Sequence, residues 1–122
     1  TAFDWTSDGQ YMFVAQQNGV VRVARNGVLQ QTPAVDISSR VNGVRDRGLL
    51  GLAVHPDFSS TTNPTPYVYL LYTYDPPETA GRSGLAGQDG AGNRTARLGR
   101  FTATIAANGT VTIDPNSEVV IL

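Results

Sequence analysis

The sequence contains no cysteine, no lysine and only one histidine. Without cysteine, the chain can form neither a disulfide nor a cysteine-based zinc site or nucleophile, although this leaves its cellular compartment open. All nine basic residues are arginines. Schiff-base chemistry and a lysine general base are therefore excluded within this chain.

Strong charge and long apolar runs are also absent. The formal net charge is −1, and no basic stripe runs along the chain, which argues against a nucleic-acid partner. No apolar run reaches the roughly 18 residues that a membrane-spanning helix needs. The length of 122 residues indicates a single domain.

No helical period of useful length is present. Short apolar stretches alternate with turn signals about every 8–12 residues, which predicts an all-β fold. Asn-Gly pairs at 18–19, 26–27 and 108–109 supply three of these signals, since Asn-Gly favours tight hairpin turns. In the strand predicted at 67–74, the alternation of tyrosines changes phase midway. This change predicts a bulge or twist in that strand.

A weak internal repeat refines the fold class. Ala2, a turn at 8–9 and an aromatic strand at 11–15 are echoed by Ala53, a turn at 57–58 and the strand at 67–74. Repeated four-stranded meanders are typical of a β-propeller. We predict two blades, residues 1–47 with a mouth loop and residues 48–122. Because a ring needs about 4–8 blades, we expect either part of a longer chain or a short subunit that completes a ring by oligomerising.

The stretch at 47–58 organises these predictions. Its apolar run at 48–55 predicts a central strand buried on both faces. Gly48 and Gly51 remove side chains where another backbone comes close. At the end of the run, Asp57 is predicted to close a turn by bonding nearby backbone, and Phe58 to fold back as an apolar plug.

Acidic residues around the Gly-rich stretch at 79–94 offer a second candidate site. Asp75, Glu78 and Asp89 flank or lie in it, and carboxylates of this kind can bind calcium. Their spacing matches no calcium-loop pattern. A solvated, mobile loop is the favoured interpretation.

The motif at 46–58 resembles the glucose/sorbosone dehydrogenase family. The matching residues are Asp46-Arg47-Gly48-Leu49-Leu50-Gly51-Leu52-Ala53-Val54-His55-Pro56-Asp57-Phe58, followed by Tyr67-Val68-Tyr69-Leu70 and Tyr72-Thr73. This resemblance implies a six-bladed propeller and a soluble sugar dehydrogenase that depends on pyrroloquinoline quinone (PQQ). It implies oxidation of an aldose at its anomeric carbon, with PQQ as hydride acceptor and calcium holding and polarising the cofactor. It also implies a periplasmic or secreted protein.

The resemblance assigns two residues of this chain. It implies that the catalytic histidine, the groups that hold PQQ and the main calcium ligands lie in later segments, so the chain alone is predicted inactive. His55 is interpreted as a hydrogen-bonded corner residue in preference to a catalytic base. Asp46 takes the place of a substrate-contacting glutamine. Its carboxylate can accept hydrogen bonds from two sugar hydroxyls or form a surface ion pair with Arg45 or Arg47.

Two other functions remain open from the sequence. A propeller of this family can serve as a non-catalytic binding module, since a fold alone does not establish chemistry. A short subunit that assembles into a ring is the third possibility.

Overall fold

A computed structural model describes residues 1–75 and 95–122, which form ten strands and a single 3-10 turn at Ser38–Arg40. The strands are β1 (Ala2–Trp5), β2 (Tyr11–Ala15), β3 (Val20–Arg25), β4 (Val28–Leu29), β5 (Val35–Asp36), β6 (Leu49–Val54), β7 (Tyr67–Tyr74), β8 (Thr95–Ile105), β9 (Val111–Ile113) and β10 (Val119–Val120). The predicted all-β class is confirmed. Within the described part of the chain, no helix has the length and apolar character needed to cross a bilayer.

Strands β1 to β5 form the first antiparallel sheet. Its order is β1-β2-β3-β4, and β5 also pairs with β3. Asn26 and Gly27 join β3 to β4, with φ angles of 50° and 82°. Two successive residues with positive φ are what a two-residue type I′ hairpin requires. The outer strand of this sheet is therefore split into two short pieces, β4 and β5.

The second antiparallel sheet repeats this arrangement. Strands β6, β7 and β8 form a meander, and β9 and β10 both pair with β8. The outer strand is again in two pieces. The repeat seen in the sequence therefore corresponds to two sheets with the same connectivity.

Strand β6 differs from its prediction as a central strand buried on both faces. It lies at the edge of the second sheet and pairs only with β7. Leu49 and Val54 are buried, whereas Leu50 is 45% exposed and Ala53 is also exposed. An unbroken apolar run does not distinguish burial on both faces from one buried face and one apolar surface, and this explains the error.

The prediction of a bulge or twist in β7 is also wrong, because the bulge lies in β6, the strand that pairs with β7. Residues of β7 pair in unbroken register with β8. The register shifts instead in β6, where Leu49 pairs with Tyr72 and Gly51 pairs with Leu71. Leu50 is the extra residue of this β-bulge. Tyrosines therefore occupy both faces of β7 without any change in its backbone alternation.

The two sheets share one hydrophobic core. Its largest fully buried side chains are Tyr72, Phe13, Phe58, Phe101, Ile37, Leu49 and Leu70. Phe13 of the first sheet and Phe58 meet edge to face, with ring centroids 5.3 Å apart. The prediction that Phe58 folds back as an apolar plug is confirmed.

Hydrogen bonds join the outer edges of the sheets. The side-chain amide of Gln30 donates to the carbonyl oxygen of Val111 (2.9 Å) and accepts from its N–H (2.8 Å), as a neighbouring strand would. The N–H of Ile113 donates to the carbonyl oxygen of Ala34 (2.8 Å). The first sheet thus covers the outer edge of β9, which would otherwise be open to pairing with another chain.

Candidate functional site

The two residues assigned from the sequence lie at opposite ends of the sheets. Asp46 precedes β6, which begins at Leu49, and His55 follows β6, which ends at Val54. Six residues of strand span roughly 20 Å. We call the end that carries residues 16–19, 37–48 and 73–75 the loop end, and the end that carries residues 55–66 the corner end. One small substrate cannot contact both Asp46 and His55.

The loop at 42–48, here called the mouth loop, begins and ends on one residue of β7. The N–H of Asn42 donates to the carbonyl oxygen of Thr73 (3.0 Å), and the N–H of Thr73 donates to the carbonyl oxygen of Gly48 (2.9 Å). Both backbone groups of Thr73 are thus used to close the loop. The loop therefore has a fixed width at its base.

A turn of the first sheet holds the mouth loop from the other side. The side-chain nitrogen of Gln17 lies within hydrogen-bonding distance of three carbonyl oxygens, those of Gly43 (3.3 Å), Arg45 (2.7 Å) and Arg47 (2.8 Å). The backbone carbonyl of Gln17 accepts from the N–H of Leu49 (2.9 Å). This one residue ties the loop to the β2–β3 turn.

A buried polar pair supports the base of the loop. Asn42 and Asp75 are only 2% and 3% exposed. The Asn42 amide donates to the Asp75 carboxylate (3.3 Å), and its oxygen accepts from the N–H of Val44 (3.1 Å). The interpretation of Asp75 as part of a solvated loop is therefore wrong. Glu78, Asp89 and the whole stretch at 79–94 lie outside the described residues.

The Asp46 carboxylate is exposed at the tip of the mouth loop. Within residues 1–75 and 95–122, no ion pair joins it to a basic side chain. Beside the loop lies an open groove of about 590 Å³, lined by Gln16, Gln17, Asn18, Val41, Gly43 and Val44. The carboxylate is therefore available to a ligand that approaches the loop end.

A charged cluster joins the 3-10 turn at Ser38–Arg40 to the second sheet. Glu118 pairs with Arg40 and Arg97, with both N–O distances at 3.5 Å, and accepts a hydrogen bond from the Tyr72 hydroxyl (2.6 Å). Burial, and then the hydrogen bond to Glu118, raise the pKa of the Tyr72 hydroxyl well above its usual range. Tyr72 is therefore a neutral donor at physiological pH, and not a candidate base.

His55 is held at the corner end by the backbone. Its Nδ1 accepts from the N–H of Asp57 (3.0 Å), and its carbonyl oxygen accepts from the N–H of Phe58 (3.0 Å). The ring also meets Tyr67 edge to face, with centroids 6.3 Å apart. The imidazole of His55 thus caps the turn. Asp57 bonds nearby backbone as predicted, through its carbonyl oxygen, which accepts from the N–H groups of Ser60 (3.2 Å) and Thr65 (2.8 Å).

Replacing His55 is expected to weaken the corner moderately. The variant His55→Ala removes the acceptor for the Asp57 N–H, and because water can reach this exposed site, we expect a loss of roughly 0.5–1.5 kcal/mol in the free energy of unfolding. Urea denaturation measures this loss. His55→Asn should recover most of it, since the amide oxygen can replace Nδ1. An unchanged stability in His55→Ala would contradict the capping role.

The chain belongs to the glucose/sorbosone dehydrogenase family. The family model, Glucose / Sorbosone dehydrogenase, matches residues 1–112. A comparison with curated proteins gives no match. The resemblance predicted from the motif at 46–58 is confirmed. The family fold is a β-propeller, and the family is generally a quinoprotein family.

Within residues 1–75 and 95–122, no three His, Asp or Glu side chains converge in a cluster that could hold a calcium ion. Gln17, Asn42 and Thr73, which shape the loop end, were missed by sequence reasoning. Asn42 is followed by Gly43, a pair that favours a turn, but this local pattern does not identify the residues that Asn42 contacts.

Proposed function

We propose that this chain is the N-terminal part of a PQQ-dependent aldose dehydrogenase that oxidises the anomeric carbon of a sugar. The family membership supports the sugar dehydrogenase class. The observation that carries the proposal is the exposed Asp46 carboxylate. It lies on a loop whose two ends are hydrogen-bonded to Thr73 and whose Arg45 carbonyl accepts a hydrogen bond from the Gln17 side chain. We propose that this carboxylate binds the sugar by accepting hydrogen bonds from its hydroxyls.

Exposed apolar side chains on the outer faces of both sheets support the proposal that this chain is part of a larger propeller. Phe3 and Trp5 pair in register with Val14 and Met12 and lie on the face of the first sheet away from the core, where they are 59% and 48% exposed. Apolar side chains of this size on a sheet face indicate a further packing partner. We propose that this chain supplies two blades, 1–47 and 48–122, of a six-bladed ring.

The second sheet also has an apolar outer face. Leu71 and Val119 point away from the core and are 43% and 48% exposed. Further blades would cover both faces. Either a longer chain or other copies of this chain can supply them.

The remaining groups of the reaction are proposed to lie outside this chain. These groups are the general base, the PQQ clamps and the calcium ligands. The chain alone is therefore expected to be inactive. We also propose that the protein acts in the periplasm or outside the cell, where a free aldose is the partner, with neither a nucleic acid nor a membrane span involved.

The test uses the full-length gene product with PQQ and calcium added. Dye reduction and calorimetric binding are measured with D-glucose, D-galactose, D-xylose and maltose. We expect Asp46→Asn to raise KM for the preferred aldose about 10-fold or more, with a smaller change in kcat, because a hydrogen bond to a charged group is worth about 1.5–3 kcal/mol. Asp57→Asn, an exposed residue at the corner end, is the matched control.

The same experiment separates the alternatives. Sugar binding without dye reduction would favour a non-catalytic binding module. A gene product of 122 residues that forms a closed oligomer would favour a self-assembled ring. An unchanged KM in Asp46→Asn would overturn the proposed role of Asp46.

A further inference from the structure

One side-chain amide organises the inside of the mouth loop. The NH₂ group of Gln17 carries two hydrogens, yet three carbonyl oxygens lie around it, at 2.7 Å (Arg45), 2.8 Å (Arg47) and 3.3 Å (Gly43). The two shortest contacts are to Arg45 and Arg47, the residues on either side of Asp46 in the sequence. The amide therefore holds the backbone on both sides of the residue proposed to bind the sugar.

The backbone next to Asp46 adopts a conformation that needs this support. Arg45 has a φ of 57°, in the left-handed region that is sterically unfavourable for a residue with a side chain. Such a conformation persists where the surrounding structure determines it. The carbonyl of Arg45 makes the shortest of the three contacts to Gln17. The contact thus stabilises the turn that sets the direction of the chain into Asp46.

We propose that Gln17 is a positioning residue for substrate binding, because it fixes the backbone on both sides of Asp46 and so aims the Asp46 carboxylate at the sugar. This inference rests on the proposed function. The role requires an N–H donor. A carboxylate at position 17 has no donor when ionised and would place negative charge against three carbonyl oxygens.

The experiment compares Gln17→Glu with Gln31→Glu in the full-length protein. Both variants change one exposed glutamine to glutamate, and the side chain of Gln17 contacts the mouth loop, whereas no hydrogen bond from the side chain of Gln31 is seen among the described residues. Hydrogen exchange of a peptide covering 43–49 reports on the loop without any sugar. Calorimetry measures the dissociation constant for the best-bound aldose of the panel above. The double variant Gln17→Glu/Asp46→Asn completes a double-mutant cycle with the two single variants.

The expected result has three parts. Gln17→Glu accelerates exchange in 43–49 about 10-fold or more, and it weakens sugar binding about 10-fold. In the Asp46→Asn background, the same change has little further effect on binding, because the two residues act as one unit. Gln31→Glu matches the wild type in both measurements.

Three outcomes would overturn the inference. Unchanged exchange in Gln17→Glu would show that the contacts do not hold the loop. Faster exchange with unchanged sugar affinity, or additive effects in the cycle, would leave Gln17 a scaffold residue only. If the wild-type protein binds no aldose of the panel, the proposed function itself fails, and the positioning role fails with it even where exchange responds to the variant.

Discussion

Phe58→Ala is expected to destabilise the protein by about 3–5 kcal/mol. The side chain is 1% exposed and packs edge to face on Phe13 of the other sheet. Truncation removes the apolar surface of the ring and leaves a cavity between two rigid sheets, which limits collapse around it. The free energy of unfolding from urea denaturation measures the loss.

Two variants calibrate the Phe58 result. Phe58→Leu keeps most of the volume and should cost less than about 1.5 kcal/mol. Val28→Ala, at a residue 72% exposed on the outer strand, should fall within about 0.5 kcal/mol of the wild type. A Phe58→Ala variant no less stable than Val28→Ala would show that the corner does not anchor the two sheets together.

Gly48→Ala is expected to cost roughly 2–4 kcal/mol in the free energy of unfolding. Gly48 has a φ of 141°, which side chains rarely adopt, and an added Cβ would lie 2.6 Å from both the backbone oxygen and Cγ of Gln17. The backbone cannot move aside without breaking the contacts that hold the mouth loop. Thermal and urea denaturation both report this loss.

Gly9→Ala is the matched control for Gly48→Ala. Gly9 also has a positive φ, 73°, but an added Cβ there meets nothing within 4 Å. Only the conformational cost of about 1–2 kcal/mol applies. If the two variants lose equal stability, the close approach between Gly48 and Gln17 contributes nothing.

The sequence predicted the parts of the fold that depend on local chemistry. The Asn-Gly pairs at 18–19, 26–27 and 108–109 correspond to hairpin turns in which the glycine has a positive φ, a conformation that glycine adopts without steric cost. The apolar character of Phe58 indicated its burial without identifying Phe13 as its partner. The repeat was visible because both sheets use the same order of strand, turn and aromatic strand.

The sequence did not predict features that depend on contacts between distant segments. Gln17 lies in a polar turn that gives no sign of the three carbonyl oxygens that its amide meets. The bulge at Leu50 depends on the register of β6 with β7. The burial of Asp75 depends on Asn42, which lies 33 residues earlier in the chain. In each case, the sequence around one residue does not reveal the distant residue that it contacts.

The closure of the mouth loop on Thr73 bears on how this protein can be redesigned. Because the N–H and carbonyl of a single residue hold both ends of the segment 42–48, the separation of these two ends is fixed. Libraries that vary side chains at Val44 and Asp46 should retain the scaffold while changing ligand preference. Insertions belong elsewhere, such as the exposed stretch at 61–64 on the corner end.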